Sequence, residues 1–110
     1  MAIFYSKFFE PVVLGVAAAT IYTVPNGQIA RGMVVRFTNT TSGIVTFTAY
    51  AVPNGGAAAD SNTIVKAKAI APNDFYDVVI PTLKAGDFLQ ALASAATSVT
   101  AQFLQGVLQA

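Results

Sequence analysis

The chain has no cysteine, no histidine and no tryptophan. Without cysteine there is no disulfide framework. Without cysteine and histidine, the usual zinc ligand sets and the Ser–His and Cys–His nucleophile systems are excluded. Charge is also scarce: Asp, Glu, Lys and Arg make up 10% of the 110 residues, against about 25% in an average soluble domain. The formal net charge is +1. Nothing in that balance attracts nucleic acid or an anionic membrane in general. The carboxylates are Glu10, Asp60, Asp74, Asp77 and Asp87. A general base at neutral pH would have to be a strongly perturbed carboxylate or lysine, and the spacing of these residues recommends neither. They also lack EF-hand spacing. We therefore assign no catalytic, cofactor-binding or metal-ligating residue and expect no enzyme.

Long apolar runs are missing too. Val12–Ala19 looks like a signal-peptide core, but Pro11 precedes it, Glu10 offsets Lys7, and the flank is aromatic where a basic one is required. The stretch ends at Pro25-Asn26-Gly27 and is diluted by Thr20 and Thr23. A membrane helix needs about 20 apolar residues, so no span is expected.

What the chain does have is 55% hydrophobic residues in one domain's length. That composition argues against disorder. It also leaves a lone subunit short of polar surface and so points to assembly. Turn signals recur at short intervals: Pro25-Asn26-Gly27, Asn39–Gly43, Pro53-Asn54-Gly55-Gly56, Ala71-Pro72-Asn73-Asp74 and Lys84-Ala85-Gly86-Asp87. Gly and Asn tolerate positive φ, and Pro presets the first turn position. Between them lie runs of Val, Ile, Thr, Phe and Tyr that favour strands. We expect strands near 20–24, 30–39, 44–52, 63–70, 75–80, 88–94 and 99–108, with 3–9 as an eighth. The fold class is all-β: a small antiparallel β-sandwich, jelly-roll-like, of about seven to eight strands. Residues 12–110 form the single domain, and residues 1–11 form an arm or edge strand.

Alternation sets the faces. Met33, Val35 and Phe37 oppose Arg36 and Thr38, and Tyr76, Val78 and Ile80 oppose Phe75, Asp77 and Val79. Lys66 and Lys68 share one side of their strand. The last two strands carry large apolar groups on both faces, with Phe88 and Leu92 on one side of the first, and Leu104 and Leu108 on one side of the second. Charges avoid these strands: Phe88–Ala110 has none, and neither has Phe37–Ala59. Charge depletion is a property of buried interface cores, so Phe88, Leu92, Leu104 and Leu108 are candidate subunit contacts. The aromatics Phe4, Tyr5, Phe8 and Phe9 are candidate anchors of the N-terminal segment, either folded onto its own sandwich or crossing to a neighbour. Tyr22-Thr23-Val24-Pro25-Asn26-Gly27 echoes Tyr50-Ala51-Val52-Pro53-Asn54-Gly55, a repetition of turn chemistry from which no duplication follows.

Several of these motifs, in order, resemble the small β-sandwich virion proteins of tailed bacteriophages. Ala17-Ala18-Ala19-Thr20-x-Tyr22-Thr23-Val24-Pro25-x-Gly27 resembles their opening strand, and Asn39–Gly43 their first hairpin turn. Tyr50-x-Val52-Pro53-x-Gly55-Gly56 resembles the end of their second hairpin strand. Ala71-Pro72-Asn73-Asp74 and Leu83-x-Ala85-Gly86-Asp87-Phe88-Leu89-Gln90-Ala91 resemble the later strands. The likeness spans about 17–107, and the residues before Pro11 lie outside it. It implies a capsid cement or decoration protein, a homo-oligomer with a trimer favoured, partnered by the major capsid protein and located in the virion. The alternative is a tail-fibre or tail-tip component that binds a host surface glycan through Tyr and Asn. We expect no cofactor, no nucleic-acid partner and no membrane partner.

Overall fold

Four reversals share one solution. The amides of Gln28, Gly56, Asp74 and Asp87 bond to the carbonyls three residues earlier, those of Pro25, Pro53, Ala71 and Lys84. The third residue of each turn, Gly27, Gly55, Asn73 or Gly86, has positive φ, the conformation that a type II turn demands of that position. At Gly86 the requirement is double, because a Cβ there would also lie 2.6 Å from the Asn54 side chain. The two Pro-Asn-Gly turns thus repeat in structure. The tyrosines before them do not, since Tyr22 is opposite inward Leu89 and Tyr50 is opposite outward Gln90.

The computed structural model describes residues 3–4 and 6–110, residue 4 by its backbone. Among these the strands are β1 (Ile3–Phe4), β2 (Val12–Val13), β3 (Ala19–Thr23), β4 (Ile29–Asn39), β5 (Val45–Val52), β6 (Thr63–Ile70), β7 (Phe75–Val79), β8 (Phe88–Ala93) and β9 (Val99–Gln109), with one 3₁₀ turn at Asp60–Asn62. Among the described residues no helix is long and apolar enough to cross a membrane. The strands build two antiparallel sheets. One runs β1-β9-β4-β7, with β2 also on β9, and the other runs β3-β8-β5-β6. The pairs nest: β5 with β6, β4 with β7, β3 with β8, β2 with β9. The chain is one long hairpin whose arms are wound between two sheets, which is the jelly-roll form of the sandwich.

The core lies between the sheets. Phe37 of β4 and Phe47 of β5 are fully buried and stack at 4.3 Å between ring centroids. Met33, Val35, Leu89, Ala91, Val99 and Ala101 fill the space around them.

Three expectations are corrected. The N-terminal strand is not continuous over 3–9: residues 6–9 form no strand, and pairing resumes at Val12. Phe8 and Phe9 both pack against the core, which strand alternation would deny to consecutive residues. Lys66 and Lys68 do not share a face. Ala67 sits at φ +47 in a register break, with its amide on the Thr48 hydroxyl at 3.0 Å, and this turns Lys68 opposite inward Phe47. Finally, Asn39–Gly43 is no hairpin turn: it carries the chain from one sheet to the other.

Asn39 makes that crossing possible. Its side chain is fully buried. Its Nδ2 donates to the carbonyls of Gly43, Ile70 and Ala71 at 2.7–3.2 Å, and its Oδ1 accepts from the Thr41 amide and hydroxyl at 2.9 and 2.7 Å. One amide thereby satisfies backbone groups from two connections that have left their sheets. Asn39→Ala strands those groups in the interior and is expected to lower stability by about 3 kcal/mol in urea unfolding.

Candidate interaction surfaces

The predicted contact residues fall in three places. Phe88 and Leu92 do share a face, the outer face of the four-stranded sheet, opposite Val52 and Thr48 of β5. Both are half-buried. Gln90 stands between them and donates to the Thr20 hydroxyl across the strand pair at 3.0 Å. No charged residue occurs in β3, β8 or β5, so β3 and β8, with Tyr50 of β5, present a neutral surface beside the buried Thr48 and Val52.

Leu104 and Leu108 do not share a face. One step on β4, Val35 to Val34, spans two on β9, Phe103 to Gln105, which makes Leu104 the extra residue of a bulge. A compensating bulge follows on β4 at Gly32, whose φ of +64 suits a bulge glycine. Each bulge flips the side-chain alternation of its strand. Leu104 is left exposed, and Leu108 joins the core at 8% exposure. A groove of about 720 Å³ lies over this double bulge, lined by Lys7, Arg31, Gly32, Leu104 and Val107 among others.

The N-terminal aromatics close one end of the sandwich. Phe8 stacks on Tyr22 and Phe103, with ring centroids 4.9 and 4.5 Å apart, and Phe9 contacts the same two rings. Gly106 leaves the room: a Cβ there would lie 3.2 Å from the Phe8 ring. In this single chain Phe8 and Phe9 pack on their own sandwich. Tyr5 and the side chain of Phe4 lie outside the described residues.

The carboxylates all serve the fold. Asp87 accepts from the amides of Asn54 and Lys84, Asp74 accepts from the Phe75 amide, and Glu10 and Asp60 pair with Lys7 and Lys66. Arg36 donates two hydrogen bonds to Asp77, at 2.8 and 3.0 Å, and lies 3.9 Å over the Phe75 ring. Those bonds lower the Asp77 pKa below its usual value. Among the described residues no group of His, Cys, Asp or Glu could hold a metal ion. Among the described residues the tyrosines, read as glycan contacts in the tail-fibre alternative, are dispersed. Tyr22 is in the aromatic cluster, Tyr50 on the outer face of β5, and Tyr76 at the β7 edge.

Sequence reasoning missed β7 as an exposed apolar element. Phe75, Tyr76 and Val79 are 48%, 39% and 72% exposed. The signal was present: Phe75-x-Asp77-x-Val79 places two apolar residues on the supposedly polar side.

No family model and no curated protein matches the sequence. Solved structures that share the fold include a bacterial and a viral chain. A chain from Bacillus endospore appendages, described as disulfide-linked pili, superposes with a TM-score of 0.55 at 18% identity, over 96% of this chain and 86% of that one. A chain from infectious bursal disease virus, Gx strain, gives 0.50 at 11% identity, over 97% of this chain but 30% of that one. Both come from large assemblies, a pilus and a virus.

Two titrations test the local geometry. The Tyr22 hydroxyl is buried without a hydrogen-bond partner among the described residues, and burial raises its pKa. Because burial disfavours only the ionised form, stability is fully retained below the unfolded value of about 10 and is lost as pH rises through the raised one. Tyr22→Phe removes the unsatisfied hydroxyl. It is expected to raise stability by about 1 kcal/mol in denaturant titration and to remove the alkaline loss. Asp77 has the opposite sign. Its contribution is present above about 3.9 and is lost as pH falls through its lowered folded value. Asp77→Asn should flatten that part of the acid unfolding curve.

Proposed function

We propose that this chain is a structural virion protein that cements a phage capsid as a homo-oligomer. One observation carries the reading: three adjacent strands of one sheet, β3, β8 and β5, present no charge and hold Phe88 and Leu92 half-buried on their outer side. A face of that kind is suited to burial against a sister subunit or the major capsid protein. The sharing of this fold with chains from a pilus and a virus supports an assembly role. The absence of cysteine means that the assembly is held without disulfides.

Magnitude adds a constraint. Three strands about 4.8 Å apart, each about six residues long at 3.4 Å per residue, cover roughly 300 Å² in projection. A stable interface takes about 800 Å² from each partner. The β8 face is therefore one contact among several. Exposed Leu104 and the aromatic anchor at Phe8 and Phe9 are the further elements within reach of a neighbour.

Virions imaged with and without this protein should differ in shell density. Shells lacking it, or carrying Phe88→Ser with Leu92→Ser, should release their contents at lower temperature. Loss of tail density would establish the tail-fibre alternative, and intact shells of unchanged stability would remove the cement reading.

A further inference from the structure

Two sheets have four outer strands, and natural proteins guard such edges with charge, proline, bulges or short length. Three of the four are guarded. The register of β3 breaks between Thr20 and Tyr22. β6 carries Lys66 and Lys68 and is kinked at Ala67. Among the described residues the β1–β2 edge consists of two two-residue pieces. β7 has no break and no proline, and its one charge, Asp77, is held by Arg36 of the neighbouring strand. Its five residues pair with β4 in unbroken register from Val79 opposite Val34 to Phe75 opposite Thr38.

The free backbone groups of β7 can be assigned. The Ile80 amide bonds to the Met33 carbonyl at 2.8 Å, so the even-numbered residues of this strand exchange bonds with β4. Antiparallel alternation then turns the N–H and C=O groups of Phe75, Asp77 and Val79 away from the sheet. The Phe75 amide is already taken by the Asp74 carboxylate at 2.8 Å. The amides of Asp77 and Val79 and the carbonyls of Phe75, Asp77 and Val79 remain directed outward.

We propose that β7 is the strand through which a second copy of this chain extends the sheet, antiparallel about a two-fold axis at Asp77. The strand is complementary to itself. Antiparallel pairing about Asp77 sets Phe75 opposite Val79 of the copy, twice, and aromatic against β-branched is a favourable cross-strand pair. The Val79 amide then meets the Phe75 carbonyl, and the capped Phe75 amide loses nothing. Asp77 meets its own copy, but each arrives bound to an Arg36. The formal net charge of +1 adds little repulsion between copies. On the flanking β6, the Lys68 ammonium is drawn 4.9 Å over the Tyr76 ring of its own chain. This edge contact is separate from the β8 face and does not depend on a capsid role.

Amide hydrogen exchange in concentrated against dilute protein tests the proposal, with mass measured in parallel. As the chain associates, the Asp77 and Val79 amides should gain protection of about tenfold or more. Val79→Lys, at a position 72% exposed, should leave the urea midpoint unchanged, remove that protection and weaken association by roughly tenfold. Leu92→Ser should leave the β7 protection intact. A chain that stays monomeric at every concentration overturns the proposal. So does association with the Asp77 and Val79 amides unprotected, or a Val79→Lys chain that associates like the unmodified one.

Discussion

The stacked pair of Phe37 and Phe47 fixes the relation between the two sheets. Each ring comes from a central strand of its own sheet, and neither reaches solvent. Aromatic stacking adds about 0.5–1.5 kcal/mol beyond area burial, but its geometric effect is larger. It sets which residues of β4 and β5 point inward, and the ladders transmit that choice to the strands beside them. Tyr76 extends the row, with its ring 6.1 Å from Phe47. This anchors the even-numbered residues of β7 inward and commits the odd-numbered ones to the outside.

Most of this fold was legible because its punctuation is local. Pro-Asn-Gly and Ala-Gly-Asp specify turns by φ alone, and the strands between them were placed to within a residue or two. The errors come from bulges and corners, which are decided by tertiary fit. Nothing local marks Leu104 as the residue that must be absorbed so that Phe103, Gly106 and Leu108 can all face the core. Nothing local shows that Asn39 finds its carbonyl partners thirty residues away. The pairing of Phe88 with Leu92 was readable because β8 has no bulge between them.

The scarcity of charge now divides into two causes. The two uncharged runs hold β5, β8 and β9, and each of these strands has a neighbour on both sides. Burial of their inner faces accounts for part of the shortage. On the outer face Thr48 and Val52 of β5 are also buried within this chain, whereas Tyr50, Phe88, Gln90 and Leu92 are only half-buried, so their neutrality needs another account, and a covering subunit supplies one. The β8 face and the β7 edge belong to different sheets and point in different directions. A subunit with two such contacts can extend an assembly in more than one direction.

The nested pairing also bears on how the chain reaches this state. The innermost pair, β5 with β6, closes a short loop, and each outer pair encloses all the pairs within it. Entropy alone is a weak obstacle, since doubling a loop costs about 0.6 kcal/mol. Order in time matters more. β4 is synthesised long before β9, its longest partner, and non-local pairing of this kind is slow. Until β9 arrives, eleven residues of β4 carry Met33, Val35 and Phe37 beside an unpaired backbone. The nascent chain therefore passes through an interval in which one of its two longest strands is open to the wrong partner along one edge, and the hazard ends only when the last strand closes the roll.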